Sequence, residues 1–444
     1  MTTVYLYIDP GTGSMLFSLL MALATTAVFV GRKLFIKLKF ILSGGKAKKA
    51  DIKRIPFVIY SDHKRYWNVF KPICDEAERR GVDILYYTQS PDDPVLATPY
   101  THIRAEFIGE GNRGFARLNF LKADIVLATT PGLGVYQWKR SRDVRCYVHI
   151  LHQIDSPLRY HMFGLVNYDV LLLNGAHQER HVRMCEDAQK APHKELAITG
   201  ATYMDSLQEQ KKTVVSVHNE VPLVLLAPTW GRSGLLALYG TDLIDALLAT
   251  GYRITIRPHP QSFTSDAALI GELKEHYKDN QAITWNRDND NTKILNEADI
   301  MVSDISGVVF DLAFVFDKPF LYAHADYDAS PYDADWVDEP MWSFTVIPEL
   351  GREITREDFP HLKEIIDGAI HSRSMAGRRA EIRDEAWHFQ GQGAKVTVDY
   401  LLEKQRQLTE KGKITYGRQG LLEQVLREPQ TGQRRGESFF PVDI

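Results

Sequence analysis

From about residue 55 onward, short and nearly unbroken apolar runs alternate with stretches of helical period. Pro56–Ser61, Asp83–Thr88, Asp124–Thr130, Cys146–His152, Tyr168–Leu173 and Leu196–Thr199 read as strands, and Trp67–Arg80 as a helix closed by Gly81. Strands that are apolar throughout, rather than alternating, are buried on both faces. With helices between them they indicate a parallel sheet covered on both sides. Residues 201–220 are polar and lack a strong period, so the interdomain linker is placed there. The pattern then restarts with strands Leu223–Pro228, Tyr252–Arg257, Ala282–Trp285, Asp299–Ser303 and Pro319–Tyr322. Helices are expected over 241–250, 266–278, 291–298 and 306–316. Two doubly wound, Rossmann-like α/β domains follow, over 55–205 and 221–405, with a cleft between them. Helical stretches over 361–373 and 375–405 close the second domain or cross back to the first. Residues 406–444 read as a C-terminal tail, loosely ordered beyond about 428.

The N-terminus differs from the rest. No charge occurs from Pro10 to Gly31, and Arg32, Lys33, Lys37, Lys39, Lys46, Lys48 and Lys49 follow at once. About 20 apolar residues span a bilayer, so residues 12–31 are expected to form a retained transmembrane helix, and 1–54 an anchor with a basic linker. The positive-inside bias puts everything after Arg32 in the cytoplasm. An amphipathic or buried helix is the alternative. Overall charge is balanced, 53 Lys and Arg against 57 Asp and Glu, which argues against a nucleic-acid partner. The three cysteines, Cys74, Cys146 and Cys185, are too few and too scattered for a disulfide framework or a cysteine zinc site.

Ligands of doubly wound sheets bind past the carboxyl ends of the strands, so motifs there carry the candidate chemistry. Ala227-Pro-Thr-Trp-Gly-Arg232 ends the second domain's first strand and offers Thr229 and Arg232. Arg257-Pro-His-Pro260 ends another; two prolines fix the backbone around His259, and Arg257 suits an anion. In Ser303-Asp-Ile-Ser-Gly-Val-Val-Phe-Asp311, Ser306 is a good N-cap and Gly307 admits close approach of a ligand. With Ser303, these would cradle a phosphate, and Asp311 could accept from ribose hydroxyls. An ordinary capped turn, with Asp304 and Asp311 solvated, fits the same residues. In the first domain, His152 stands at a strand mouth and is the better general base. His149 lies three residues earlier, faces the other way and is expected to be packed. Asp155 and Ser156 could orient His152 or cap the next helix. His177 and His181, four apart on a helix, do not form a zincin pattern. No metal and no cofactor is expected.

Ala-Pro-Thr-Trp, Arg-Pro-His-Pro and Ser-Asp-x-Ser-x-x-x-Phe-Asp, in this order, resemble the CDP-glycerol glycerophosphotransferase family, which includes teichoic-acid primases and polymerases. The resemblance covers roughly residues 120–400. It implies a two-domain fold of the glycosyltransferase B type, working at the inner face of the cytoplasmic membrane. It also implies transfer of glycerol phosphate from CDP-glycerol to an acceptor hydroxyl, with CMP released. The family's base histidine lies in Trp-His-Gly-Thr; Leu151-His152-Gln153-Ile154 occupies that place and gives the role to His152. The family's second histidine matches His259, and its phosphate-binding element matches Ser303, Asp304 and Ser306. Gly231 intervenes before Arg232, and Gly-x-Pro-Arg-x-Asp keeps only its ends, Gly200 and Asp205. The chain reads as a divergent member.

The implied partners are a nucleotide-diphosphate donor, a membrane or lipid-linked acceptor and the bilayer itself. A histidine near its normal pKa can take the acceptor's proton, while the hydroxyls, Arg257 and His259 stabilise the leaving CMP. Two other readings share the fold: a nucleotide-sugar glycosyltransferase or epimerase, and an inactive membrane-tethered binding protein.

Overall fold

The structure, a computed structural model, describes residue 31 and residues 54–425, except 136, 162, 216, 289, 324–335 and 373. The first sheet holds seven strands: β1 (Ile55–Ser61), β2 (Ile84–Thr88), β3 (Ile103–Phe107), β4 (Ala123–Ala128), β5 (Val144–Ile150), β6 (Val170–Leu173) and β7 (Glu195–Ile198). Every pairing is parallel, in the order β3-β2-β1-β4-β5-β6-β7. The second holds six: β8 (Leu223–Leu226), β9 (Arg253–Ile256), β10 (Ile283–Trp285), β11 (Ile300–Ser303), β12 (Phe320–Ala323) and β13 (Arg352–Ile354). These are also all parallel, in the order β10-β9-β8-β11-β12-β13. In each sheet the strand order reverses at one place, between β1 and β4 and between β8 and β11. Such switch points open a crevice where the loops diverge.

The central strands are apolar because both faces are covered. β4 and β8 are buried at every position. Helix Trp67–Arg79 packs Val69, Phe70, Ile73 and Ala77 against the first sheet, and Gly81 ends it at φ +68°. A separate cluster joins the two sheets. Ile154, Met204 and Leu207 meet Phe310, Trp342 and Trp387 there, all at most 9% exposed.

Three segments depart from the expectation. Residues 201–220 are not merely linker, because helix Thr202–Thr213 takes up 12 of them. It buries only its leading residues, Thr202 and Met204 to Leu207, so no period runs through its length. Helix Gly393–Val425 runs past residue 405, where the tail was expected to begin. It crosses back to the first domain, setting Val398 and Leu401 into that core, and Asp399 pairs with Arg80. The crossover Trp387–Gly393 is fastened by buried Asp205, whose carboxylate accepts from Trp387 Nε1 at 3.0 Å, Gly391 N at 2.7 Å and Gly393 N at 2.9 Å. The end of helix 306–316 is also unusual: it widens to π-type winding over Asp311–Phe316 and stops at Asp317 in the left-handed region. Such widening is frequent at functional sites.

The expected transmembrane helix, the basic linker and the tail beyond residue 428 lie, Gly31 and Arg54 apart, outside the described residues. Among the described residues no helix is long and apolar enough to cross a membrane.

Candidate active site

The second sheet's switch point, with the loops after β8 and β11, and the loops after β5 and β9 line a cavity of about 430 Å³. Seven of the residues expected from sequence line it: His152, Thr229, Arg257, His259, Ser306, Gly307 and Asp311.

His152 follows β5 by two residues. Its Nδ1 lies 2.8 Å from Thr129 Oγ1 and 3.1 Å from Tyr160 OH. Thr129 Oγ1 donates its proton to Ile150 O at 2.7 Å. A hydroxyl has one proton to give, so the Thr129 oxygen must accept from the imidazole. Nδ1 therefore carries the hydrogen, and Nε2 keeps the lone pair. Burial, and then the charge of Arg65, draws the His152 pKa down to about 4, so the ring is neutral at pH 7. The Tyr66 ring packs 4.7 Å away, centroid to centroid.

His259 is held in the opposite tautomer. Its Nδ1 accepts from Gln261 N at 3.1 Å, which puts the hydrogen on Nε2. Burial, then Arg65, also draws this pKa down to about 4. The cleft thus offers one neutral imidazole that accepts a proton and another that donates a hydrogen bond.

Arg257 donates through its two terminal nitrogens to Asn286 Oδ1 and Asn291 Oδ1. Both partners are neutral, so the guanidinium is oriented with its charge intact. Burial pushes the Asp311 pKa up to about 7, against the pull of a hydrogen bond from Asn291 and the charge of Arg257. Near neutrality this acid is divided between a donor and an acceptor form.

Three expected site residues do not reach the cavity. Ser303 is fully buried and donates to Ala227 O at 2.6 Å. Asp304 is neither solvated nor facing a ligand. It accepts from the backbone N–H of Thr229 at 2.9 Å, Leu235 at 3.1 Å and Ser306 at 3.1 Å, and so stitches the two switch-point loops together. Burial, partly offset by these bonds, raises its pKa to about 6. Arg232 is exposed and is not among the residues that line the cavity; Gly231, before it, has φ +83°. Ser306 is not a side-chain cap. The helix starts at Val308 with Gly307 as N-cap and no side-chain cap bond.

His149 is packed, fully buried between Tyr160 and Tyr168, with neither ring nitrogen bonded. His177 Nε2 bonds Ile154 O at 2.7 Å and His181 Nδ1 bonds Ser156 Oγ at 2.8 Å, so both steady the loop after His152. Ser156 caps the next turn, accepting from Leu158 N. Asp155 reaches the second domain, where it accepts from Ser343 N at 3.2 Å. Among the described residues no group of three His, Cys, Asp or Glu side chains is placed to hold a metal.

Sequence reasoning missed Tyr203, Asn291 and Arg159, which also line the cavity. None lies at a strand end. Tyr203 sits in the segment read as linker, and Asn291 was visible only as a helix start.

Residues 166–395, just over half of the chain, match the family described as CDP-Glycerol:Poly(glycerophosphate) glycerophosphotransferase. No curated protein matches the chain in sequence. Among solved structures, the wall teichoic acid polymerase TagF is similar with a TM-score of 0.54 at 12% identity, over 86% of this chain and 98% of that one. The same polymerase soaked with CDPG gives 0.51 at 13% identity, over 86% and 99%. The UDP-GlcNAc 2-epimerase of Neisseria meningitidis, bound to UDP-GlcNAc, gives 0.50 at 12% identity, over 79% and 100%. At these identities the structures share the glycosyltransferase-B-like fold, and the match over 166–395 decides within it: the chain belongs to the CDP-glycerol:poly(glycerophosphate) glycerophosphotransferase family.

Proposed function

We propose that the protein transfers glycerol phosphate, or a related polyol phosphate, from a CDP-linked donor to an acceptor hydroxyl and releases CMP. The observation that carries this reading is the pair of neutral histidines in opposite tautomers, His152 with its lone pair on Nε2 and His259 with its hydrogen there, lining the same cavity as Arg257. The acceptor oxygen attacks the phosphorus that bears the polyol, and its proton passes to His152 Nε2. The bond from that phosphorus to the bridging oxygen breaks, and CMP leaves with the electron pair. Negative charge builds on the leaving phosphate, where Arg257 and the His259 Nε2–H lie in reach of a diphosphate on the second domain's wall. Thr229, Ser306 and Gly307 line the donor's side, with Asp311 beside the ribose or the phosphates.

The acceptor is lipid-linked, and residues 12–31 anchor the enzyme in the cytoplasmic membrane with its catalytic domains in the cytoplasm. An anchored enzyme meets a membrane-borne acceptor at high effective concentration.

Mass detection of nucleotides after incubation with CDP-glycerol and an octyl-linked glycerol acceptor tests the reaction. CMP release is expected, reduced about 10²- to 10⁴-fold in His152→Ala. Consumption of a UDP-sugar with CDP-glycerol untouched would overturn the reading.

A further inference from the structure

Two arginines line the cavity. Arg159 is ion-paired with Asp155, so the charge left for an anionic ligand is that of Arg257. The segment that holds Arg257 follows β10 and reads Asn286-Arg-Asp-Asn-Asp-Asn291. The guanidinium takes the asparagines at its two ends, Asn286 Oδ1 and Asn291 Oδ1. Asp288 and Asp290 lie close enough for their charges to act on it, yet among the described residues it makes no ion pair. Asp288 accepts from Asn286 Nδ2 at 2.9 Å, and Asp290 from Thr292 N at 2.8 Å and Thr292 Oγ1 at 2.7 Å.

Asn291 stands at the N-cap of helix Thr292–Glu297, where asparagine is among the strongest caps, but it makes no side-chain cap bond. Asp290 meets Thr292 N in its place. The Asn291 amide engages the cavity's own groups instead. A guanidinium only donates, so Asn291 Oδ1 faces Arg257, and Nδ2 is left to donate to Asp311. One half-buried side chain that lines the cavity thus joins the cation of the site to its acid. Aspartate at 291 would accept from Arg257 equally well, but it would cancel the charge and have no hydrogen for ionised Asp311.

We propose that Asn291 is a positioning residue for the donor diphosphate: it orients Arg257 without neutralising it and, through the same amide, holds Asp311 beside it. The inference rests on the donor side of the transferase reading above. A diphosphate ester is anionic at neutral pH, and a guanidinium already paired with a carboxylate has less charge to offer it.

Two variants separate this role from that of a tether. Asn291→Asp keeps an acceptor for Arg257, and Asn291→Ala removes it. A residue that merely held the side chain in place would make alanine the more damaging. The proposal orders them the other way. Calorimetric titration of CDP-glycerol into the full chain, without acceptor, is expected to show affinity lower by about tenfold or more in Asn291→Asp and by about threefold in Asn291→Ala. Melting curves of both variants establish that they fold. A second readout is pH. Arg257 and Tyr203 face Asp311, and Arg257 also faces Asp288 and Asp290; His152 and His259, with pKa values drawn down to about 4, do not titrate near neutrality. In Asn291→Asp, Asp311 loses a hydrogen bond to its ionised form and gains a carboxylate neighbour, both of which raise its pKa. The pH at which donor affinity falls should therefore move above about 7. Alanine as the weaker binder, Asn291→Asp within about twofold of wild type, or an unmoved pH dependence would overturn the proposal. If the wild type binds UDP-GlcNAc and not CDP-glycerol, the transferase reading fails, and the same variants titrated with UDP-GlcNAc judge Asn291. A wild type that binds neither overturns both.

Discussion

Thr129→Val isolates the support of the general base. As the acceptor attacks, His152 gains a proton and becomes an imidazolium. A hydrogen bond donated by a neutral group contributes about 0.5–1.5 kcal/mol, and one involving a charged group about 1.5–3 kcal/mol. The Thr129 hydroxyl, 2.8 Å from Nδ1, thus stabilises the charged ring more than the neutral one, by about 1–1.5 kcal/mol on those values. Valine keeps the shape and removes the oxygen, while Tyr160 OH remains at 3.1 Å. The expected outcome is a kcat about tenfold lower with the donor's KM unchanged. The hydroxyl favours the protonated ring and so raises the His152 pKa against the downward pull of burial. In wild type, kcat/KM should climb through about pH 4 as His152 loses its proton, and in the variant that limb should move lower. Ile150 O also loses a donor, so melting should fall by the equivalent of about 1 kcal/mol. Steady-state CMP release across pH, with single-turnover quench to isolate the chemical step, measures all of this. A donor KM that rises while kcat stays fixed, or an acid limb that moves upward, would refute the assignment of Nδ1 as the donor to Thr129.

Further outcomes are expected at three positions. A Cβ at Gly307 would meet nothing within 4 Å, and its φ of −59° suits any residue; Gly307→Val should fold normally yet weaken CDP-glycerol binding at least about tenfold by calorimetry, and undiminished affinity would remove this loop from the donor site. Ionised Asp311 adds negative charge beside the diphosphate, so donor affinity should fall as pH rises through about 7 and Asp311→Asn should flatten that dependence; a pH-independent wild type would contradict it. The same upward shifts, to about 6 for Asp304 and about 7 for Asp311, mean that the folded state holds these protons more tightly than the unfolded chain, whose Asp titrates near about 3.9. Their contribution to stability therefore declines from about pH 4 to about pH 7, and Asp311→Asn should lessen the fall in melting temperature over that window. Gly200 has φ +84°, and a Cβ there would lie 2.3 Å from His388 O; Gly200→Ala should cost about 2–4 kcal/mol in urea unfolding, and a loss under about 1 kcal/mol would mean that the crossover yields.

The central strands were legible because burial on both faces leaves unbroken apolar runs. Two of the four edge strands were not, whereas β7 and β10 were: β3 reads Ile-Arg-Ala-Glu-Phe and is buried only at Ile103, and β13 is three residues long. His152, Arg257 and His259 were legible because they follow strand ends, and ligands of such sheets bind past the carboxyl ends of the strands. Ser303 and Asp304 were not, because a motif does not say which of its polar side chains turns inward. Around Asp304, three backbone amides needed an acceptor in a dry turn, and that need outweighed exposure to a ligand. The same logic explains why Gly200 and Asp205 keep the ends of their motif. One admits the His388 carbonyl, and the other collects the amides of Gly391 and Gly393 together with the Trp387 indole. Both serve the crossover and not the chemistry.

The departures from Trp-His-Gly-Thr bear on the acceptor more than on the base. Leu151 is 1% exposed and packs within the first domain's core, away from the cavity. Ile154 is 2% exposed and belongs to the cluster that joins the sheets. Gln153 lines the cavity, while its carbonyl is taken by Asn174 Nδ2 at 2.6 Å and Gln178 Nε2 at 3.1 Å. The His152 ring is oriented by none of these three. Its Nδ1 is fixed by Thr129, just past the end of β4, and from the following turn by Tyr160, and the Tyr66 ring packs against it. A general base needs its tautomer and its direction, and both come from residues outside the altered motif. Gln153 and Ile154 instead line the cavity beside His152, the wall that an acceptor would meet on the proposed reading. On the proposed reading, divergence at these positions would reshape which hydroxyl is presented to Nε2 and would leave the means of deprotonating it in place.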